Sequence, residues 1–278
     1  MKAILRIIIM AIPFIVNAGE YNAAEFYSQS ADYIVSPQNL MEMKHPFIVE
    51  QLKIVEAAHP QIFLREVGQS VERRSINMLT FGQGKTKVLL WSQMHGDEPT
   101  ATAALLSVYL YFARNFDSPF VQELYKNLTI HSIVMLNPDG AQRYQRRNAQ
   151  GIDINRDAQR LVCPESRVLK GIKEDINPEY GFNLHNMGGR ETAGDGGKLL
   201  NIALMAPPFN KGEEASPTRD RAKQLVVEIK RILDQLIEGH VAKYKADYMP
   251  RAFGDAFQHW GVSTVLIESG LTDNTDPH

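Results

Sequence analysis

Apolar and polar positions along the chain follow two rhythms. Residues 62–67 and 76–81 alternate as half-buried strands do, and Gly82-Gln83-Gly84 separates them from a third apolar run, residues 88–94. Residues 100–116, rich in Ala and Leu and preceded by Pro99, have helical spacing. So do residues 47–58, which Pro60 stops, and Ser36-Pro37 upstream opens a helix or turn. Further along, residues 129–136 predict a strand, 166–173 a short helix and 181–184 a short strand. Residues 220–244 form the clearest amphipathic helix, with Leu225, Ile229, Ile232, Leu233, Leu236 and Ile237 on one stripe. Residues 263–267 make a last strand. Strands alternating with helices predict a single α/β domain whose mixed, mostly parallel twisted sheet is flanked by helices.

Four of the apolar runs end in residues that carry chemistry. Residues 88–94 lead into His95-Gly96-Asp97-Glu98-Pro99, residues 129–136 into Asn137-Pro138-Asp139-Gly140, residues 181–184 into His185, and residues 263–267 into Glu268. In open α/β sheets ligands bind outside the carboxyl ends of the strands, so four such endings point to one site. A hydrolytic zinc keeps three protein ligands and leaves a position for water. His95, Glu98 and His185 supply two imidazoles and one carboxylate, a set that leaves a zinc ion enough charge to polarise water and a carbonyl. Taken alone, His-x-x-Glu is a weak signal, and a lone histidine is more often a core or surface residue. Glu268, leaving the core before Ser269-Gly270, is the natural general base, although in isolation a strand-end glutamate reads equally well as a surface turn.

Composition narrows the partners. The chain has 278 residues, 44% hydrophobic and 22% charged, with a formal net charge of -2, so it has core enough for a globular domain and no polybasic footprint for nucleic acid or an anionic membrane. Cys163 is the only cysteine, which excludes an internal disulfide and a thiolate metal cluster. Lys2 and Arg6 precede a short apolar stretch that ends in Val16-Asn17-Ala18, the order of an export signal over residues 1–18. The competing reading is an apolar first element of the domain. With the signal the protein is periplasmic or secreted, and without it cytoplasmic. No later stretch is long and apolar enough to span a bilayer. Gly84-Lys85-Thr86 has the tail of a phosphate-binding loop, but Leu79 stands where the first glycine is required.

Between the second and third endings, residues 143–157 are dense in arginine and amide side chains. Arginine forks bind carboxylates and oxyanions, which suggests a substrate with its own carboxylate; the plain alternative is a basic surface loop balanced by Asp153 and Asp157.

The motifs in order are His-x-x-Glu at 95–98, Asn-Pro-Asp-Gly at 137–140, Arg-Arg-Asn at 146–148, Gly-Ile-Asp-Ile-Asn-Arg at 151–156, Leu-His-Asn at 184–186 and Ile-Glu-Ser-Gly at 267–270. Together they resemble the zinc carboxypeptidase family over roughly residues 63–270. The resemblance implies a carboxypeptidase-like, zinc exopeptidase fold and one Zn2+ per chain on His95, Glu98 and His185. It makes Asn155 and Arg156 the pair that holds a terminal carboxylate and Arg146 the oxyanion donor, with Arg147 the alternative one place along. Asp153 becomes the carboxylate that orients His95, and Glu268 the catalytic glutamate. The implied substrate is a peptide or amide with a free carboxylate; the oligomeric state is open. The division that follows is a signal at 1–18, an extension packing on the domain at 19–62, and the zinc carboxypeptidase domain at 63–278, expected to lack the family's last helix.

The chain departs from the well-studied digestive members at Asp97, where they carry a basic residue, and Tyr244 and Tyr248 both compete for the role of a substrate-capping tyrosine. Asp255 is a candidate for a pocket that favours basic side chains. Two other functions stay open: an amidohydrolase of N-acyl amino acids of the aspartoacylase and succinylglutamate desuccinylase type, and a non-catalytic peptide-binding homologue.

Overall fold

The computed structural model describes residues 30–37, 39–194 and 197–270. The expected export signal and the expectation about a last helix both fall outside the described residues.

Among the described residues eight strands form one sheet: β1 (Ile62–Gln69), β2 (Ser75–Gly82), β3 (Thr86–Ser92), β4 (Leu128–Ile133), β5 (Tyr180–Asn186), β6 (Ile202–Met205), β7 (Val241–Lys243) and β8 (Ser263–Ser269). Their order across the sheet is β1-β2-β4-β3-β5-β8-β6-β7. The β3–β4, β3–β5, β5–β8 and β6–β7 pairs are parallel and the other three antiparallel, so the sheet is mixed with a parallel centre. The helices are α1 (His45–Ala58), α2 (Thr100–Arg114), α3 (Pro119–Asn127), α4 (Pro138–Arg143), α5 (Pro164–Ile176), α6 (Pro217–Leu236) and α7 (Phe253–His259).

The two-residue alternation of the strands divides the core. Val88 and Leu90 of β3 join Leu79, Phe182 and Ile267 on one face, with α1, α2, α3 and α6. Leu89 and Trp91 join Ile76 and Met78 on the other, with α5 and α7. A central strand buried on both faces reads as a continuous apolar run, and residues 88–91 are such a run. Helix α2 is buried almost all round, which explains why its sequence lacks a polar stripe. Helix α1, inside the 19–62 segment, contributes Ile48, Leu52 and Val55 to the same core.

The structure corrects several element boundaries. The helix expected over 220–244 is α6, which starts earlier because the Ser216 hydroxyl accepts from Arg219 N and Pro217 occupies its first turn. It ends at Leu236, and Gly239 with φ +80° turns the chain back so that residues 241–243 pair with β6. Strand β4 ends at Ile133, three residues short of the expected 136. Its continuation still follows β3, with Leu136 N donating to Ser92 O at 3.1 Å. Among the described residues no helix is long and apolar enough to cross a membrane.

One strand residue makes stability depend on pH. His131 of β4 lies half-buried opposite Thr80, whose Oγ1 is 3.0 Å from its Nδ1. Burial, with Lys87 and Arg65 nearby, lowers its pKa to about 4. Between that value and the ordinary one near 6.5, the unfolded chain takes up a proton that the folded chain refuses. Stability therefore falls as pH drops through this window and is unaffected above it. At pH 5 the penalty is about 1–2 kcal/mol after allowing for solvent screening. Urea titrations of the wild type and His131→Gln at pH 8 and pH 5 check this: the variant loses less stability over the interval, and equal losses contradict it.

Candidate metal centre and substrate cavity

Parallel register brings the strand endings together. Ser92 of β3 pairs with Leu184 of β5, and Leu184 with Ile267 of β8. One residue on, His185 and Glu268 are themselves a cross-strand pair. Beyond β3 the chain turns at His95, closing with Glu98 N donating to His95 O at 3.2 Å. The endings of β3, β5 and β8 thus reach one cavity of about 420 Å³, whose walls include His95, Glu98, Arg146, Asn155, Arg156, His185 and Glu268; the fourth expected ending, Asn137-Pro138-Asp139-Gly140, is absent from those walls and instead caps and opens α4.

The donor cluster is tight. Glu98 Oε1 is 2.7 Å from His95 Nδ1, and Oε2 is 2.8 Å from His185 Nδ1. One ligand atom from each residue lies within 4.8 Å of the other two, and all three residues are buried. Burial pushes the Glu98 carboxyl up, but His185 and His95 overcome it and bring it down to about 2, so it is an anion. Behind His95, Asp153 Oδ1 stands 3.1 Å from Nε2. Burial pushes Asp153 up as well, yet His95 and Arg146 hold it below the usual carboxylate range. An ionised Asp153 can only accept, so the Nε2 proton faces it and Nδ1 is directed at the cavity. Two imidazoles and a carboxylate with this spacing and an oriented rear nitrogen fit zinc.

Glu268 adjoins this cluster without belonging to it. Its half-buried carboxyl has a pKa above the ordinary carboxylate value, chiefly through burial, with Glu98 adding to the rise and His185 opposing it. A carboxylate of raised basicity beside a metal centre can take a proton from water near neutral pH.

Arg146 reaches the cluster, and Arg147 does not. Arg146 Nη1 lies 3.1 Å from His95 Nδ1, and Nη2 makes an ion pair with Asp153 Oδ2 at 3.0 Å. Arg147 instead donates to Gly151 O at 2.9 Å. The Arg146 loop leaves α4, where Asn137 Oδ1 caps Gly140 N and Tyr144 ends the helix in the left-handed region, φ +50°. Asp139, fully buried, accepts from Ser70 Oγ at 2.8 Å and Glu72 N at 2.9 Å and pairs with Arg74, fastening the β1–β2 turn to this helix.

Asn155 and Arg156 leave a short 3-10 turn that the Asp153 side chain caps. Asn155 Oδ1 accepts from Phe253 N at 2.9 Å, which turns its NH2 group toward His185. Arg156, exposed, lines the same wall. Tyr244 lines the cavity and Tyr248 is absent from its walls; nothing in the spacing of the two tyrosines distinguished them. Asp255 is buried in a cavity wall, accepts from Met249 N at 3.0 Å, and burial raises its pKa to about 6. Asp97, between His95 and Glu98, stays outside the cavity walls, and its enclosed Oδ1 meets no hydrogen-bond donor among the described residues.

Known proteins share this architecture. Residues 48–179 match the family model described as zinc carboxypeptidase. Human carboxypeptidase D is 29% identical over 242 residues, 76% of this chain and 16% of that protein. Carboxypeptidase SOL1 of Arabidopsis thaliana is 37% identical over 103 residues, 33% of this chain and 21% of that protein. The chain therefore spans about a fifth or less of these two curated relatives. Among solved structures, the metallo-carboxypeptidase of Burkholderia cenocepacia superimposes with a TM-score of 0.60 at 22% identity, covering 83% of this chain and 61% of that one. Carboxypeptidase A of Helicoverpa armigera gives a TM-score of 0.66 at 16% identity, covering 91% and 73%. The α/β sheet is thus the carboxypeptidase fold.

Proposed function

We propose that this chain, whose residues 48–179 match the zinc carboxypeptidase family model, is a zinc metallocarboxypeptidase that hydrolyses the last peptide bond of substrates with a free carboxylate. The observation that carries the reading is the convergence in one cavity of the His95–Glu98–His185 cluster, Glu268 on the adjoining strand, and Asn155 with Arg156 in its walls.

In this mechanism Asn155 and Arg156 hold the terminal carboxylate, which sets the scissile carbonyl beside Arg146 and turns binding energy into position. The Asn155 NH2 group suits that task, because its oxygen is committed to Phe253 N. A zinc ion on His95, Glu98 and His185 supplies, when bound, the polarisation of water and carbonyl. Glu268 removes a proton from the attacking water and delivers it to the departing amine. Arg146, oriented by Asp153, donates to the oxyanion as it forms. Asp255 in the wall favours a lysine or arginine side chain at the residue released.

The test is a panel of peptides with free or amidated C-termini, together with N-acyl amino acids, offered to zinc-loaded protein. Release of the last residue from free peptides much faster than from amidated ones, with N-acyl amino acids left intact, supports the proposal. Equal cleavage of amidated peptides removes the role given to Asn155 and Arg156, and hydrolysis confined to N-acyl amino acids favours the amidohydrolase reading. A loaded chain that cleaves nothing is a binding homologue.

A further inference from the structure

We infer that Gln93 is a positioning residue for the metal-binding turn, holding the peptide between His95 and Glu98 so that both ligands face one point. Gln93 is a non-glycine residue with φ +50°, in the left-handed region, immediately after the last residue of β3 and two before His95. Such a conformation persists where the surroundings over-determine it, and it clusters at working sites. Here the surroundings are visible. Gln93 is 1% exposed. Its Nε2 donates to Gly96 O at 3.0 Å, its Oε1 accepts from Thr102 Oγ1 of α2 at 2.8 Å, and its backbone oxygen accepts from Asn137 N at 3.0 Å.

The bond to Gly96 O is the informative one. That carbonyl lies between the two ligands of the turn, so its direction sets the angle at which the chain passes from His95 to Glu98. The turn also presses against α4: a side chain at Gly96 would bring its Cβ within 2.0 Å of Gly140 C. Asn137 Nδ2 donates to both Met94 O at 3.2 Å and Arg146 O at 3.3 Å. The turn is therefore fastened at residues 93, 94 and 96 to α2 and α4, through atoms that leave the ligating nitrogens and oxygens free. Of these fastenings, the Gln93 side chain alone links the ligand turn to α2.

This inference rests on the metal-centre reading, so zinc affinity is measured first on the wild type by competition with a chromogenic chelator. Gln93→Gly keeps a residue at ease with positive φ and removes both side-chain bonds; Gln93→Met keeps the volume and removes the same bonds. The expected result is a zinc dissociation constant raised about 10–100-fold in both. Wild-type affinity in either variant overturns the inference, including the case in which glycine alone suffices, because the backbone conformation then needs no side chain. A drop in the melting temperature of the metal-free variants with unchanged affinity marks a purely structural residue and overturns it too. Should neither variant fold, Thr102→Val removes the hydroxyl that aims Gln93 and is expected to raise the constant about threefold or more, an unchanged constant again overturning the inference. A wild-type chain that binds no zinc overturns the metal-centre reading itself, whereas one that binds zinc but cleaves no peptide leaves the affinity comparison intact.

Discussion

Glu268→Gln is expected to take up one zinc ion per chain and to hydrolyse free-carboxylate peptides about 10²–10⁴-fold more slowly than the wild type. The reason lies in the sheet. Glu268 stands opposite His185 across the β5–β8 pair, outside the three-residue donor cluster, so exchanging its carboxylate for an amide leaves the cluster intact. What is lost is an acceptor for the proton of water. Glutamine has nearly the same shape and cannot accept that proton, and the loss falls on kcat with little change in KM. Steady-state kinetics together with metal analysis of the purified variant check both halves. Full activity sinks the mechanism, and loss of zinc from the variant places Glu268 among the ligands.

Arg156→Gln is the second large effect. It is expected to lower kcat/KM for peptides with a free C-terminus about 10–100-fold, the size of a lost charge-assisted hydrogen bond, and to leave the slow turnover of amidated peptides unchanged. Arg156 is exposed on the cavity wall and donates through Nη1 to Asn155 O at 2.7 Å, so its removal disturbs little of the fold. The comparison of free and amidated substrates separates a carboxylate clamp from a general loss of structure. An equal fall for both substrates assigns the residue to the fold instead.

The chemistry is legible in the sequence at the strand ends. β3, β5 and β8 are central and apolar, so their polar terminations at His95, His185 and Glu268 stood out. The parallel register that aligns them is what periodicity predicts for strands alternating with helices. The elements that stayed hidden are short or atypical. β6 and β7 have four and three residues, too few for any period to show, and β7 was absorbed into the end of α6 because its apolar residues continue the helical stripe. The Asn-Pro-Asp-Gly segment reads as a fourth chemistry-bearing strand ending, yet it starts α4 outside the cavity walls, because Asn137 caps the helix and Pro138 opens it. Phe253–His259 was too short to register as α7, although it carries Asp255 and closes one wall. Arg146 and Arg147 are identical in kind and adjacent, and what separates them is three-dimensional: the Asp153 carboxylate that Arg146 meets. The Gln93 bonds were out of reach for the same reason, since a left-handed backbone leaves no mark on a sequence when the residue is not glycine.

The pairing of His185 with Glu268 has a consequence for variation within this chain. Side chains along a strand change face with every residue, so a one-residue insertion or deletion early in β8 would not shift Glu268 gradually away from His185. It would turn that carboxylate to the opposite face of the sheet and present Ile267 or Ser269 to the cavity in its place. The distance between Glu268 and the His95–Glu98–His185 cluster is thus quantised by the sheet, with no intermediate settings. The arginines and Asn155, carried on turns, can be repositioned by small steps. In the proposed mechanism, recognition of the substrate can therefore be tuned continuously, whereas the proton-transfer step is either complete or absent.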